Sequence, residues 1–120
     1  MSIRRNILLG AALSALAVAV AGPVAAEGVE GKSICYITAA NSHFYVTPTN
    51  EGAQAAADAA GVNLTIVSEE FSPQTGADQL NSCVARTVDG ILLWPLDANS
   101  YLPGLLKAQQ AGIPVVAIDT

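Results

Sequence analysis

The sequence predicts an α/β fold, a three-layer arrangement in which helices cover both faces of a parallel β-sheet. Short runs of apolar and β-branched residues recur along the chain, and each is followed by a segment with helix-starting and helix-ending signals. The strand candidates are apolar throughout, as in strands buried on both faces. A length of 120 residues suits one small domain, and 52% apolar against 12% charged residues excludes a disordered chain.

The first strand is predicted at residues 33–38, SICYIT, which ends in the polar turn AANSH. The first helix is predicted to begin with Thr47 as N-cap and Pro48 in the first helical position, and to end at Gly61. Its packing face is mostly alanine, so the helix can lie close to a sheet. It lacks the large apolar side chains of a membrane-surface helix.

The second strand and helix repeat this unit. The segment NLTIV (63–67) predicts a strand, and Ser72 with Pro73 supplies a second N-cap and helix start. A stripe of core residues at helical spacing predicts that this helix continues to Gly90. The stripe consists of Ala77, Leu80, Cys83, Val84, Thr87 and Val88.

A third unit completes the predicted sheet. The segment ILLW (91–94) predicts a short apolar strand that a proline ends. A helix is predicted from about residue 99 to residue 111, with Pro103 tolerated only because it falls in the first turn. Gly112 ends this helix, and PVVAI (114–118) predicts the fourth strand.

The first 26 residues predict a secretory signal peptide. A basic start precedes an apolar run at residues 7–21 and then small residues, and cleavage is expected after Ala26. The alternative, a transmembrane anchor, needs an apolar run of roughly 20 residues. Residues 27–32 would form a polar leader of an exported, periplasmic chain. Loss of Arg4 and Arg5 leaves three basic and ten acidic residues, which offer no surface for nucleic acid.

The candidate site lies at the carboxyl ends of the strands, where open parallel sheets bind their ligands. The loops at this edge are residues 39–46, 68–72, 94–99 and 119–120. Four of the six aromatic residues lie in or beside them: Phe44, Tyr45, Phe71 and Trp94. The polar side chains there are Asn41, His43, Glu69, Glu70, Asp97, Asn99 and Asp119. Flat apolar faces beside directed hydrogen-bonding groups suit a sugar or polyol.

Several of these side chains also have a purely structural explanation. Phe71 and Trp94 could cover strand ends or an interface between lobes, since large aromatic residues are normally buried. Asp97 or Asn99 could cap the third helix. The acidic pair at positions 69–70 is expected to be solvated.

Neither a metal site nor a catalytic centre is expected. His43 is the only histidine, so a cage with two histidine ligands cannot be assembled. The chain has no GxSxG elbow and no Gly-rich phosphate loop, so an enzyme is not expected and no cofactor is implied. A small exported α/β enzyme remains the alternative from another class.

The two cysteines could form a disulfide in an exported protein. Cys35 falls in the first strand and Cys83 on the core stripe of the second helix, which crosses back over the sheet past that strand. The alternative is two buried thiols that pack as small apolar groups. The spacing is not CxxC, so a thioredoxin-like redox role has no support.

A family resemblance covers nearly all of the chain after the predicted signal peptide. The stretches NSHFY, DGILLWPLDAN and AGIPVVAID resemble consecutive pieces of the ribose/galactose-type periplasmic sugar-binding proteins, the substrate-capturing components of ABC importers. The resemblance implies a type I periplasmic binding fold, in which two lobes joined by a hinge close on one monosaccharide-like ligand. Residues 33–120 would then be an incomplete, Rossmann-like N-terminal lobe.

The resemblance also implies which residues bind ligand. The loop at residues 41–45 corresponds to the family's Asn- and Phe-bearing first loop, and Asp119 to the acid that accepts sugar hydroxyl protons. Either Phe44 and Tyr45, or Tyr45 and Val46, would fill the paired aromatic positions. Trp94 stands where relatives often have a small or polar residue.

The sequence departs from the family pattern directly after the predicted ligand-binding acid. Thr120 follows the acid where ribose-type members carry an arginine, which speaks against ribose. The expected function is capture of a sugar or polyol for the membrane permease of an ABC importer. The alternative within the same fold is a sensory module that presents a bound sugar to a membrane receptor.

Overall fold

The structure, a computed structural model, describes residues 28–119 and contains one parallel sheet. The predicted signal peptide and Thr120 therefore lie outside the described residues. The sheet has the order β2-β1-β3-β4, which confirms the predicted α/β class. In chain order the elements are β1 (Ser33–Thr38), α1 (Val46–Ala60), β2 (Asn63–Ser68), α2 (Pro73–Ala85), β3 (Gly90–Leu93), α3 (Leu102–Gln110) and β4 (Val115–Ala117).

Helices pack on both faces of the sheet because side chains of a strand alternate between its two faces. On β1, Cys35 and Ile37 face a core that contains Leu80 of α2 and Ala108 of α3. Tyr36 faces the opposite core, which includes Val46 and Ala53 of α1 together with Trp94 from the end of β3. The three predicted layers are therefore present, with α1 on one face and α2 and α3 on the other.

Helix α1 begins earlier than the sequence predicts. Its N-cap is Tyr45, without a side-chain cap, so Thr47 lies inside the first turn. The Thr47 hydroxyl instead accepts a hydrogen bond from the His43 backbone N–H, at 3.4 Å. Gly61 ends the helix as predicted, in a left-handed conformation that glycine adopts without strain.

The ends of α2 and α3 also differ from the predictions. Helix α2 starts at the predicted cap, since the Ser72 hydroxyl accepts from the Thr75 backbone N–H, but it ends at Ala85 and not near Gly90. The reason is that Thr87 turns into a left-handed conformation, with φ of 54°, to bring the chain back to the sheet. Helix α3 begins at Leu102 and not near residue 99, because a turn held by Asp97 precedes it.

A disulfide joins Cys35 of β1 to Cys83 of α2 in the structure. The two Cα atoms are 6.1 Å apart and both residues are buried in the core shared by α2 and α3. The Arg86 guanidinium donates to both sulfurs, at 3.2 Å and 3.5 Å. Within residues 28–119 no helix combines the length and apolar character needed to cross a membrane.

Candidate functional site

An aromatic cluster lies at the carboxyl edge of the sheet. The His43 ring is 4.6 Å from the Phe44 ring and 5.3 Å from the Phe71 ring, the latter edge-on. Phe44 is 86% exposed and Phe71 is 53% exposed. A patch of neighbouring exposed aromatic rings often marks a binding site on a folded protein. The structure thus places Phe44 and Phe71, which are 27 positions apart in the sequence, in contact with the same His43 ring.

The loop after β2 adopts an unusual backbone that brings Phe71 to this cluster. Glu70 and Phe71 have φ values of 47° and 56°, in the left-handed region that non-glycine residues seldom occupy. Strain of this kind concentrates at functional sites. The Phe71 backbone N–H donates to the Ala39 carbonyl at 2.8 Å, which fixes this loop to the end of β1.

The loop after β1, which carries the predicted ligand-binding residues, is anchored at its base. Asn50 of α1 donates from Nδ2 to the Ala40 carbonyl at 3.0 Å, and its Oδ1 accepts from the Thr38 hydroxyl at 2.7 Å. The Asn41 backbone N–H donates to Glu70 Oε1 at 3.2 Å. This bond and one from the Ser68 hydroxyl, the stronger cause, lower the Glu70 pKa. The sequence reading missed Asn50, because a helical asparagine gives no sign of such a role.

Tyr45 and Trp94 form a second aromatic contact at this edge. Their ring centroids are 6.0 Å apart and the rings meet edge to face. Trp94 is only 7% exposed and packs with Tyr36, Ala39 and Val46 in the core on the α1 side. Tyr45 is 56% exposed, so it presents most of its ring to solvent while Trp94 supports it.

Asp119 lies at the end of β4, on the far side of β3 from the loop after β1. It is exposed and has a left-handed φ of 52°. Its charge adds to burial, the larger cause, in raising the pKa of Tyr36. Asn41, Phe44 and Tyr45 thus share one loop with Trp94 behind it, whereas Asp119 reaches the same edge from a different strand.

Asp97 uses its carboxylate within its own loop. Oδ1 accepts from the backbone N–H groups of Asn99 and Ser100, at 2.7 Å and 2.8 Å, and Oδ2 accepts from the Ser100 hydroxyl at 2.6 Å. These bonds, led by that of the Ser100 side chain, lower the Asp97 pKa. Asp97 therefore has the capping role that the sequence allowed, but it caps the turn before α3 and not the helix itself.

Glu69 contradicts the expectation that the acidic pair at 69–70 is solvated. Its side chain is 0% exposed and accepts a 2.6 Å hydrogen bond through Oε2 from the Tyr101 hydroxyl. Burial is the main cause that raises the pKa of Glu69 to about 7. The sequence could not show this, since only the packing of α2 against the start of α3 turns the carboxyl inward. Glu70, by contrast, is exposed as expected.

An apolar cavity of about 270 Å³ lies elsewhere, on the α3 side of β4. Its lining includes Leu93, Leu105, Val115 and Ala117, with Asp97 and Tyr101 as polar members. It shares no lining residue with the aromatic cluster and offers few groups for sugar hydroxyls, so it is not the candidate site. Among the described residues, no three His, Cys, Asp or Glu side chains are grouped so as to hold a metal ion.

Comparison with known proteins identifies the family. The sequence profile described as "Periplasmic binding protein domain" matches residues 34–120. The chain belongs to this family. Membership in it implies an extracytoplasmic location and confirms the resemblance drawn from the sequence stretches above, over an N-terminal portion of the family's fold.

Individual members of the periplasmic binding family are similar to this chain in sequence. The ribose import binding protein RbsB of Escherichia coli strain K12 is 25% identical over 103 residues, which cover 86% of this chain and 35% of RbsB. This chain thus spans about a third of the length of the curated relatives it matches. These relatives are binding proteins and not enzymes.

Two solved structures of such proteins have the same fold. The periplasmic ribose ABC transporter protein from Conexibacter woesei is 26% identical, with a TM-score of 0.72 over 77% of this chain and 31% of its own. A solute-binding protein from Agrobacterium vitis, solved with bound allitol, is 28% identical, with a TM-score of 0.70 over 77% of this chain and 32% of its own.

Proposed function

We propose that this protein captures a neutral sugar or polyol outside the cytoplasm and delivers it to the membrane permease of an ABC importer. The observation that carries the proposal is the exposed aromatic cluster of His43, Phe44 and Phe71 at the carboxyl edge of a parallel sheet. Relatives of the same family support the ligand class, since one imports ribose and another was solved with allitol.

The charge distribution supports an uncharged ligand. The loops at residues 39–46, 68–72 and 94–99 contain no lysine or arginine. Lys32 lies at the opposite edge of the sheet, where its ammonium group is 3.9 Å from Asp89. A phosphorylated or carboxylated ligand would therefore find carboxylates and no counterion at the aromatic edge, whereas neutral hydroxyl groups can donate to those carboxylates.

We assign the binding roles as follows. The exposed rings of Phe44 and Tyr45 stack on the C–H face of the sugar, and Phe71 extends this apolar wall. Asn41 and Asp119 form directed hydrogen bonds with its hydroxyl groups. Trp94 supports Tyr45 and contacts ligand only through its exposed edge.

Export and the absence of catalysis belong to the same proposal. A signal peptide at residues 1–26 would direct the chain to the periplasm, and residues 33–120 would form an N-terminal lobe that binds without chemistry on its ligand. The disulfide between Cys35 and Cys83 would persist in that oxidising compartment.

Calorimetry of the full-length protein, with both lobes that the family resemblance implies, tests the proposal with pentoses, hexoses and their polyols beside the corresponding sugar acids. We expect binding of a neutral member and none of the acids. Phe44→Ala and Asp119→Asn should each weaken that binding roughly tenfold or more. Leu106→Ala is the matched control, since Leu106 is a similarly exposed apolar residue on α3. Tighter binding of sugar acids, or equal effects of Phe44→Ala and Leu106→Ala, would contradict the proposal.

A further inference from the structure

We propose that Glu69 and Tyr101 form a buried positioning pair, which holds the loop after β2 and the loop after β3 at a fixed separation and so aligns the residues of the binding edge. The inference rests on the proposed function and names two positioning residues of that site. It explains why an acid lies in the core next to a loop with strained backbone.

The hydrogen bond between the two side chains joins segments that are distant in sequence. Glu69 directly follows β2, and Tyr101 directly precedes α3. These segments belong to β2 and β3, the two neighbours of β1, so the bond spans the end of the central strand. The Tyr101 hydroxyl also accepts from the Leu96 backbone N–H at 3.2 Å, which ties the loop after β3 to the same point.

Helix α2 is shaped to accept this pair. A Cβ atom at Gly76 would lie 1.8 Å from Glu69 Oε2 and 2.8 Å from Tyr101 Cε1. A larger side chain at position 76 would force Glu69 or Tyr101 to shift, because real Cβ atoms do not approach other heavy atoms so closely. The loop after β2, the residue before α3 and helix α2 therefore pack closely against one another at this buried contact.

The pair acts on the binding edge through the next two residues. Glu70 ties the same loop to the loop after β1, through the Asn41 backbone N–H. Consecutive glutamates thus connect the loop after β2 to the loops after β1 and β3. Phe71 follows directly and lies beside His43, so a displacement at Glu69 moves an aromatic wall of the site.

The protonation state of Glu69 decides how well the pair holds. Within residues 28–119, its Oε1 atom is buried without a hydrogen-bond partner. The titratable groups that act on it are Tyr101 and Asp97, and Gly76 of α2 lies against its carboxyl group. Burial and the bond to Glu69 raise the Tyr101 pKa, so the tyrosine remains a donor. Ionisation strengthens the hydrogen bond from Tyr101 but leaves a buried charge whose other oxygen has no partner, an unfavourable state that favours opening of the pair to solvent.

Two conservative variants of the full-length protein test the pair. Glu69→Gln keeps an acceptor for Tyr101 but cannot ionise, and Tyr101→Phe removes only the hydroxyl group. Glu51→Gln, an exposed glutamate of α1, is the control. Affinity for the neutral sugar or polyol that binds most tightly in the calorimetry is measured between pH 5.5 and pH 8.5. Trp94, the only tryptophan of residues 1–120, reports on the edge without ligand through the part of the fluorescence signal that Trp94→Phe removes.

We expect the wild-type affinity to fall several-fold as the pH rises through about 7, whereas Glu69→Gln keeps its low-pH affinity throughout. Tyr101→Phe should lose roughly tenfold in affinity at every pH. The ligand-free Trp94 signal should change near pH 7 in the wild type and in Glu51→Gln, but not in Glu69→Gln.

A wild-type pH profile that Glu69→Gln leaves unchanged would overturn the inference, as would full affinity in Tyr101→Phe. The fluorescence titration needs no ligand, so it separates the two proposals. If no sugar binds but the signal change depends on Glu69, the proposed function is wrong and the coupling between the loops stands. If sugar binds but the signal is independent of Glu69, the pair is wrong and the function stands.

Discussion

At the scale of single residues, Glu69 makes stability depend on pH in the direction opposite to most carboxylates. Its pKa is raised from 4.5 to about 7 by burial, so the folded protein holds a proton that the unfolded chain releases. The stabilisation is complete below about pH 4.5 and is lost as the pH rises through 7.

We therefore predict that the unfolding free energy of the wild type falls by about 2–3 kcal/mol between pH 5 and pH 8 because of Glu69, and that Glu69→Gln lacks this fall. Urea unfolding at the two pH values gives the pH dependence of each protein. Subtracting the pH dependence of the variant from that of the wild type removes the contributions of all other groups. Parallel pH dependence in the variant and the wild type would show that the carboxyl is not buried as described.

Two helical glycines offer a matched pair of substitutions. Gly76→Ala places a methyl group against Glu69 and Tyr101, and overpacking of this kind costs roughly 1–3 kcal/mol or more. Gly52→Ala on α1 meets nothing within 4 Å and should stabilise by roughly 0.5–1 kcal/mol, the gain in helix propensity. Thermal melting should show a lower melting temperature for Gly76→Ala and a higher one for Gly52→Ala than for the wild type. Equal effects would contradict the close packing at Gly76.

Sequence reasoning at this scale succeeded where the cause is local. Ser72 caps α2 through a side chain that reaches only three residues along, and Gly61 adopts a left-handed turn that glycine favours. Glu69 could not be placed, because its direction depends on α2 and on Tyr101, far away in the chain. The exposed aromatic residues were predictable as a group, but the contact of Phe71 with His43 depends on backbone strain in the loop.

At the scale of secondary-structure elements, strands were easier to predict than helix ends. Strand β1 has its predicted bounds, and the other three strands agree within one residue at each end, because apolar and β-branched runs bounded by turn residues mark strands. The expectation of strands buried on both faces is wrong for β2 and β4, which lie at the two edges of the sheet and are partly exposed. Helix α2 stops early because the chain must still cross from Ala85 to the start of β3 at Gly90. The length of this connection depends on how the helix packs against the sheet, and no residue type in the segment marks it.

The link between β1 and α2 gives a prediction at this scale. Replacement of both Cys35 and Cys83 by alanine should lower the unfolding free energy by about 2–4 kcal/mol, since the disulfide closes a long loop in the unfolded chain. Urea unfolding of the variant against the oxidised wild type measures the loss. Alkylation with and without prior reduction, followed by mass measurement, is the control. Equal masses would show that the bond is absent.

At the scale of the whole molecule, the proposed function makes the described residues one wall of a binding cleft. The family resemblance implies a ligand held between two lobes, and the curated relatives are about three times as long as the matched region. We predict that residues 27–120, expressed alone, bind sugars in the millimolar range or below detection, because the second lobe that the resemblance implies would supply about half of the contacts. Calorimetry measures this, and micromolar binding would contradict a shared cleft.

The order of the sheet also has a consequence for how the protein assembles. Each strand pairs with one that precedes it in the chain: β2 and β3 with β1, and β4 with β3. The sheet thus grows only by addition at an open edge, and no strand has to be inserted between two others. A chain that emerges from a secretion pore with its N-terminus first can therefore fold in the order in which it appears. The β1–β2 pairing, which joins Ser33 to Asn63, closes a shorter loop than the β1–β3 pairing, which joins Ile34 to Gly90, and so has the lower entropic barrier of the two.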